Sequence, residues 1–222
     1  MTAALLTLGA YLLGSASTAN LLALTIKRTD LRSYGSGAVT SSNAGELLGK
    51  WAVVISGLVD IFKGAGAIWT AQALDLGVAQ QWGVGLAVIA GHNWSAFMQL
   101  QGGRGLAPVI GVLMAVSPVQ FMLLALTGFT SVAFFKNVPL MLGVSILLLP
   151  LWGFLLDGEM PMIWEAALIV LLVAVKRLTG NKLEWPPPAQ RKAVLLNRLL
   201  YDRDVRDRSE WIRREISQAG NP

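Results

Sequence analysis

The stretch GHNWSAFMQLQGGRGLAP, residues 91–108, places a lone histidine and a glycine-flanked arginine between apolar runs. His92 is the only histidine of the chain. Three glycines flank Arg104: Gly102, Gly103 and Gly105. A glycine turn before an apolar run predicts a helix N-terminus, whose free N–H groups and positive dipole end favour an anion. Because the guanidinium of Arg104 is a planar fork that matches phosphate, we predict a phosphate site here.

The composition predicts an integral membrane protein. Hydrophobic residues make up 54% of the chain and charged residues 14%, whereas a soluble domain carries about 25% charged residues. Acidic and basic residues balance up to Val175, so the segment beyond it supplies the whole formal net charge of +5. We therefore expect anionic lipid headgroups, not nucleic acid, beside this charge. The absence of cysteine and the single histidine exclude disulfides, thiolate ligands and a multi-histidine metal site.

Apolar runs predict about seven transmembrane helices, because roughly 30 Å of hydrocarbon requires about 20 helical residues. Five of these runs are each predicted to form one span: 3–26, 51–74, 82–100, 138–156 and 162–175. The run 106–135 is divided into two spans at Ser117 and Pro118, since proline removes a backbone donor. The sequence therefore predicts an all-α membrane protein.

Basic residues lie in alternate loops of this topology. Lys27 follows the first span, Arg104 the third and Lys176 the last, while Asp75 lies in an opposite loop without Lys or Arg. The positive-inside rule then places the N-terminus outside and the C-terminus in the cytoplasm. We expect a multi-pass protein of the cell inner (plasma) membrane, with its polar loops on the cytoplasmic face.

The chain is predicted to divide into a transmembrane domain, residues 1–180, and a charged cytoplasmic tail, residues 181–222. Three consecutive prolines, 186–188, separate the two. Apolar residues from Val194 to Ile216 recur at helical spacing, which predicts an amphipathic helix over 189–217. Such a helix could lie on an anionic membrane surface, cap the cytoplasmic loops or pair with a second copy, and the sequence leaves these three open.

Two further polar stretches fall on the cytoplasmic side. The first is DLRSYGSGAVTSSN, residues 30–43, in which glycines allow tight turns that expose successive N–H groups. The second is DIFKG, residues 60–64, in which Asp60 and Lys63 share one helix face. Ionisable residues inside a span are costly, so this pair is a functional hypothesis beside the simpler interpretation of a neutralised pair.

The three stretches together resemble the motifs of one family. GHNWSAFMQLQGGRG is similar to the G-H-x-x-P-x-F-x-x-F-x-G-G-K-G motif of the bacterial acyl-phosphate:glycerol-3-phosphate acyltransferases, the PlsY family. The first polar stretch resembles the family's D-[IL]-R-x-x-G-S-G-N-x-G-A-T-N, and DIFKG its D-x-x-K-G. Gly14 and Ser15 resemble the G-S pair of its first helix. Order and spacing agree over about residues 5 to 180.

This resemblance implies a seven-helix membrane enzyme of phospholipid biosynthesis. It would move a fatty acyl group from acyl phosphate to the 1-hydroxyl of glycerol 3-phosphate, forming lysophosphatidic acid and phosphate without a cofactor. Ser36, His92 and Arg104 would be the catalytic residues. The substrate-binding residues it implies are the following: Ser15, Arg32, Gly35, Gly37, Ser42, Asn43, Asp60, Lys63, Gly102, Gly103, Gly105 and Ser131. Its partners would be the two substrates and membrane lipids, and the oligomeric state is left open.

Several residues depart from the family pattern. Glu46 and Gly128 stand where the family has arginines, and Arg104 replaces its lysine. The segment VLLVAVKRLTG lacks the histidine and asparagine that precede the family's R-L-x-x-G. A second hypothesis is therefore a family member that binds acyl phosphate but is inactive on glycerol 3-phosphate or uses another acceptor. A small-solute transporter is a third, since discontinuous helices with glycines near charges also fit it.

Overall fold

The computed structural model describes residues 1–134, 138–156, 160–180, 186–207 and 210. Within these residues the regular structure is helical, which confirms the predicted all-α class. The α-helices are α1 (Thr2–Ser15), α2 (Thr18–Lys27), α3 (Ser41–Leu48), α4 (Lys50–Ala73), α5 (Val78–Asn93), α6 (Leu106–Val116), α7 (Pro118–Phe134), α8 (Val138–Leu147), α9 (Leu149–Leu156), α10 (Met160–Thr179) and α11 (Arg191–Tyr201). Single 3-10 turns lie at Leu31–Ser33 and Ala96–Met98.

Two helices of the described part are long and apolar enough to cross a membrane. They are α4 and the stretch Pro139–Leu156, which combines α8 and α9. The pair α1 and α2 forms a third candidate if it is taken as one span with a 40° bend. The first predicted span is thus interrupted, because Ser17 accepts a hydrogen bond from the Asn20 amide at 3.2 Å and starts a new helix. The count of seven spans and the sides of the termini stay predictions.

The predicted break at Ser117 and Pro118 is confirmed, since α6 ends at Val116 and α7 begins at the proline. The third predicted span is wrong at its C-terminal end. Helix α5 begins earlier, at Val78, and stops at Asn93, and residues 94–100 form a cap and a 3-10 turn instead. The apolar side chains of residues 94–100 therefore belong to the connection between α5 and α6.

Glycines bring two helix pairs into backbone contact. In the α1–α5 pair, the Cα atoms of Gly14 and Gly91 lie against carbonyl oxygens of the facing helix. In the α4–α6 pair, Gly64 and Gly111 do the same. A Cβ at any of these positions would overlap the opposite backbone. This packing of small residues is the usual way in which helices approach closely in a membrane.

Apolar side chains occupy both the interior and the outer surface. Trp82, Leu113 and Leu149 are buried in a core shared by α5, α6 and α9. Large side chains such as Phe62 and Phe129 are exposed on the outside of the helices. An apolar exterior around an apolar core is what a lipid-facing surface requires.

The described part of the tail packs against the membrane helices. Helix α11 contacts α8 and α10, and Arg198 Nη1 donates to the Leu178 carbonyl at 2.9 Å. The helix ends at Tyr201 because Asp202 takes the left-handed conformation, with φ of 57°. The prediction of one helix over 189–217 is therefore wrong in length, and its residues 208–209 and 211–217 lie outside the described residues. The contacts of α11 with α8 and α10 are consistent with a cap on the loops, and the three arrangements stay predictions.

Candidate functional site

A cavity of about 510 Å³ lies between α3, α4, α6, α8 and α10, beside the loop at residues 101–105. Its polar lining residues are the following: Ser36, Thr40, Ser41, Ser42, Asp60, His92, Arg104, Arg177 and Asp202. Its apolar wall comes from α4, α6, α8 and α10 and includes the following: Val53, Ile61, Ile110, Leu142, Ile146 and Val173. One cavity thus offers anion-binding groups and a surface for a hydrocarbon chain.

Two helix N-termini line the cavity. The first turn of α3 contributes Ser41 and Ser42, and the first turn of α6 contributes Leu106 and Ala107. The N-cap of α6 is Gly105, which has a φ of 76° and no side chain to cover the helix end. The first N–H groups of a helix lack partners within the helix and carry a partial positive charge. Their convergence favours a phosphate group in the cavity.

Asn43 holds the loop that precedes α3. Its buried Nδ2 donates to the carbonyl oxygens of Leu31, Tyr34 and Ala38 at 3.2, 2.9 and 3.0 Å. Its Oδ1 accepts from the Ser36 amide at 3.4 Å. The structure therefore places Asn43 under the loop, not in the cavity lining, while Ser36 is in the lining.

Two predicted glycines give this loop its shape. Gly35 and Gly37 have φ values of 53° and 61°, in the left-handed region that favours glycine. A Cβ on Gly35 would stand 2.5 Å from Oδ1 of Asn43. Both glycines form the turn that carries Ser36 and lie behind the cavity surface.

Arg32 is paired outside the cavity. Its Nη2 lies 2.6 Å from the Asp30 carboxylate, and the Asp30 carboxylate also accepts from the Arg32 backbone amide at 2.9 Å. The side-chain hydrogen bond from Arg32 lowers the pKa of Asp30 below its ordinary value, and Asp30 raises the pKa of Arg32. In this position Arg32 stabilises the start of the loop.

His92 is enclosed by the loop at residues 101–105, called the glycine loop below. Its carbonyl oxygen accepts from the Gly103 amide at 2.9 Å, and its Nε2 packs against the Cα of Gly103. Its Nδ1 lies 3.8 Å from Oδ2 of Asp60. The backbone of Gly102 lies against the carbonyl oxygens of His92 and Asn93, so the loop has no room for side chains here.

Lys63 ties α4 to the break between α1 and α2. Its Nζ donates to the Ala16 carbonyl, to Thr18 Oγ1 at 2.7 Å and to Asp60 Oδ1 at 2.9 Å. These three contacts use the three donors of the ammonium group. Thr18 also donates to Asp60 at 3.2 Å. Lys63 is not among the cavity-lining residues, whereas Asp60 is.

Ser15 joins α1 to the loop that follows α5. Its hydroxyl donates to the Tyr11 carbonyl at 2.8 Å and accepts from the Ala96 amide at 3.2 Å. Its carbonyl accepts from Ser95 Oγ at 2.6 Å. Ser95 stands where the family motif has proline, and its hydroxyl here joins the loop after α5 to α1.

Arg104 is held by the tail and by α10. Its Nε lies 3.0 Å from Oδ2 of Asp202, and its Nη1 donates to the Lys176 carbonyl at 3.4 Å. Arg177 lines the same part of the cavity, where its Nη2 donates to the Pro139 carbonyl at 2.9 Å. The side chains of Arg104 and Asp202 are about equally accessible, 21% and 23%.

The structure brings six predicted residues into the cavity lining and places most of the others behind it. The six are the following: Ser36, Ser42, Asp60, His92, Arg104 and Gly105. The side chain of Ser131 lies outside what the structure describes. Glu46, where the family has arginine, is exposed and is not in the lining. Within the described residues, no group of three or more His, Cys, Asp or Glu could hold a metal ion.

Sequence reasoning missed two charged residues of the lining. Arg177 stands in KRLTG, which shares the R-L pair of the family's R-L-x-x-G but reaches its glycine one residue earlier, so this partial match could have indicated it. Asp202 carries no such signal, because it is one of several acidic residues in a charged tail. Only the packing of α11 reveals that it reaches the cavity.

Comparisons with known proteins agree with this architecture. The family model described as "Glycerol-3-phosphate acyltransferase" matches residues 4–181. The chain belongs to the glycerol-3-phosphate acyltransferase family. A Dehalococcoides mccartyi (strain CBDB1) relative, "Glycerol-3-phosphate acyltransferase 4", is 35% identical over 214 residues, which cover 93% of this chain and 91% of the relative. A Burkholderia multivorans glycerol-3-phosphate acyltransferase is 37% identical over 175 residues, 78% of this chain and 82% of the relative.

Solved structures of a family member resemble the chain as well. The crystal structure of PlsY, an integral membrane glycerol 3-phosphate acyltransferase, in its glycerol 3-phosphate form superposes with a TM-score of 0.73. It is 28% identical and covers 80% of this chain and 88% of its own. The lysophosphatidic acid form gives a TM-score of 0.71 at 26% identity, with the same coverage. The family and these structures support an integral membrane acyltransferase of glycerol 3-phosphate as the general assignment.

Proposed function

We propose that the protein transfers a fatty acyl group from acyl phosphate to the 1-hydroxyl of glycerol 3-phosphate, forming lysophosphatidic acid and phosphate. The observation that supports this most is the lining of the cavity. The N-termini of α3 and α6 converge there with Arg104, beside an apolar wall. Both substrates carry phosphate and one carries a hydrocarbon chain, so the two kinds of surface match the two kinds of group.

The reaction needs positioning more than strong acid or base chemistry. The glycerol hydroxyl oxygen attacks the acyl carbonyl carbon, the bond from that carbon to the phosphate oxygen breaks, and the departing phosphate accepts the hydroxyl proton. Phosphate is already a good leaving group. The protein therefore contributes mainly by holding the reactants together and by stabilising charge on phosphate and carbonyl oxygens.

We assign roles from the contacts described above. Ser36 and the first turn of α3 would orient the acyl phosphate, because both line the cavity beside a helix N-terminus. Arg104 and the first turn of α6 would bind a substrate phosphate. His92 and Asp60 would shape the cavity wall, and Lys63 would neutralise Asp60 from behind it. The reaction would take place at the cytoplasmic face of the plasma membrane, where the positive-inside rule puts these loops.

A different acceptor is the second proposal. Gly128 and the segment before Lys176 lack the arginine, histidine and asparagine of the family pattern. The charge reversal at Glu46 carries less weight, because that side chain is exposed and is not in the cavity lining. A member of the family with such replacements could bind acyl phosphate and pass the acyl group to another alcohol.

The decisive experiment is an assay of the purified protein with palmitoyl phosphate and glycerol 3-phosphate that follows lysophosphatidic acid and phosphate. We expect acceptor-dependent phosphate release, and Arg104→Ala should lower it by about 100-fold, as losing a phosphate or oxyanion contact does elsewhere. Lys50→Ala is the matched control, since Lys50 is basic, exposed and not in the cavity lining. Binding of palmitoyl phosphate without acceptor-dependent release would reject glycerol 3-phosphate as the acceptor and favour the second proposal.

A further inference from the structure

An ion pair joins two parts of the chain that are far apart in sequence. Arg104 belongs to the glycine loop after α5, and Asp202 directly follows α11 in the tail. The contact runs from Nε of the arginine to Oδ2 of the aspartate, at 3.0 Å. Both residues line the cavity. Asp202 lies beyond residue 181, where the match to the family model ends.

The pair fixes one edge of the guanidinium and leaves another available. Nε is taken by Asp202 and Nη1 by the Lys176 carbonyl. Within the described residues, Nη2 of Arg104 donates to no acceptor, and Oδ1 of Asp202 accepts from no donor. The carboxylate thus binds through one oxygen on the Nε side and does not occupy the whole fork. The outer edge, formed by Nη1 and Nη2, keeps free N–H groups for an anion.

An arginine requires such fixing where a lysine does not. An ammonium group is a compact charge that donates in several directions, whereas a guanidinium donates in one plane and must be oriented toward the phosphate. The G-G-K-G pattern has lysine at this position and the present chain has arginine. A carboxylate on Nε sets the plane and the direction of the fork.

Hydrogen bonds hold the described part of the tail beside α10. Arg198 Nη1 donates to the Leu178 carbonyl at 2.9 Å, and its Nη2 lies 3.3 Å from Oδ2 of Asp204. Arg177 Nη1 donates to the Leu199 carbonyl at 2.7 Å. The contacts of Arg198 and Leu199 anchor the end of α11 to α10, and the contact with Asp204 closes the turn that carries Asp202.

We propose that Asp202 is a positioning residue, which the C-terminal segment brings to the cavity to orient Arg104 toward the phosphate group of a substrate. The inference rests on the proposed function in one respect, namely that Arg104 binds substrate phosphate. It adds a functional contribution from a segment beyond the residues that the family model matches. Its effect is on phosphate affinity, so Asp202 acts on the Michaelis constant for glycerol 3-phosphate more than on the turnover number.

A double-mutant cycle on the full-length purified protein tests this. The proteins are wild type, Asp202→Asn, Arg104→Lys and the double variant, and the probe is inorganic phosphate, whose dissociation constant is measured from the shift in thermal unfolding. Asparagine also tolerates the left-handed conformation of residue 202, so the change removes charge without straining the backbone. We expect Asp202→Asn to weaken phosphate binding by about tenfold, the loss of one charged hydrogen bond. In the Arg104→Lys background the same change should have less than about a twofold effect, because lysine has no Nε edge to orient.

The control and the contrary outcomes are distinct. Asp207→Asn makes the same charge change at an exposed residue of the tail that is not in the cavity lining, and it should leave binding unchanged. Equal losses in both backgrounds would show a structural role, and tighter binding in Asp202→Asn would show that the carboxylate competes with phosphate. Either result, or no change, overturns the proposal. A protein that shows the expected cycle but no acyl transfer would reject the proposed function and keep this inference.

Discussion

Gly103 packs against the side chain of His92, and a Cβ on Gly103 would overlap the imidazole ring. Its amide donates to the His92 carbonyl at 2.9 Å, so the glycine and the histidine hold each other in place. At the residue scale, the site is therefore built from close contacts between backbone and side chain. Gly105 lies in the left-handed region at φ of 76°, which glycine adopts readily, so the backbone turns directly after Arg104.

We predict that Gly103→Ala displaces the histidine ring and with it the wall of the cavity. A displacement of about 1 Å near reacting groups can lower activity by about 100-fold, so acyl transfer should fall by that order. The measurement is the steady-state rate of the purified variant. Gly83→Ala on α5 is the control, since a Cβ there meets nothing within 4 Å, and it should retain full activity. Normal activity in Gly103→Ala would show that His92 can move without effect.

Much of the site at this scale could be predicted from sequence. The motif residues Ser36, Asp60, His92 and Arg104 do line one cavity. The sequence could not show which motif residues line the cavity and which hold the loops behind it. Asn43 is as polar as Ser36, but three backbone carbonyls accept its amide, and that depends on how the loop folds.

At the scale of helices, the glycine contacts between α4 and α6 set how closely the two can approach. Gly64 lies against the Pro108 carbonyl, in the first turn of α6, whose N-terminus lines the cavity. A shift of α6 would therefore move its N-terminus as well as its packing.

We predict that Gly64→Ala separates α4 from α6 and lowers stability. Overpacking of a tight contact usually costs about 1–3 kcal/mol, so the midpoint of thermal unfolding in detergent should fall clearly. The matched control lies two residues away on the same helix. A Cβ on Gly66 meets nothing within 4 Å, and Gly66→Ala should be neutral or slightly stabilising. Equal behaviour of the two variants would contradict the close approach of the helices.

Helix boundaries were predictable where one residue type dictates them. Pro118 begins a helix because it lacks a backbone donor, and the sequence shows this directly. The end of α5 was not predictable from hydropathy, because Trp94, Phe97, Met98 and Leu100 continue the apolar run beyond the helix. There Ser95 caps a 3-10 turn, and Gln99 and Leu100 adopt left-handed φ values of 55° and 61°. Those conformations depend on the loop packing against α1.

For the whole molecule, orientation in the membrane follows from the distribution of charge. The basic residues and the cavity loops share one side in the predicted topology, which puts the N-terminus outside. The chain contains no cysteine, so a single introduced thiol reports the side of the membrane without interference.

We predict that Val78→Cys is labelled by a membrane-impermeant maleimide added to intact cells, because Val78 is exposed at the start of α5, beside the loop assigned to the outside. Lys27→Cys, at the end of α2 beside the loop assigned to the cytoplasm, should be labelled only after the cells are permeabilised. The unmodified chain is the blank. The opposite pattern would invert the topology and move the cavity to the outer face.

The overall architecture could be predicted largely from apolar runs and motifs, but the place of the tail could not. Its charges allow three arrangements, and contacts such as that of Arg177 with the Leu199 carbonyl depend on the folded structure. Helix α11 packs on α8 and α10, and the division into residues 1–180 and 181–222 stays a prediction.

The ion pair of Arg104 and Asp202 also has a consequence for biosynthesis. Translation proceeds from the N-terminus, so the helices around the cavity are made and inserted before the tail leaves the ribosome. During that interval Arg104 has no carboxylate on its Nε. A nascent chain therefore completes this part of its structure only after residue 202 has emerged, and a ribosome that stops early releases a membrane-inserted chain with an unpaired arginine.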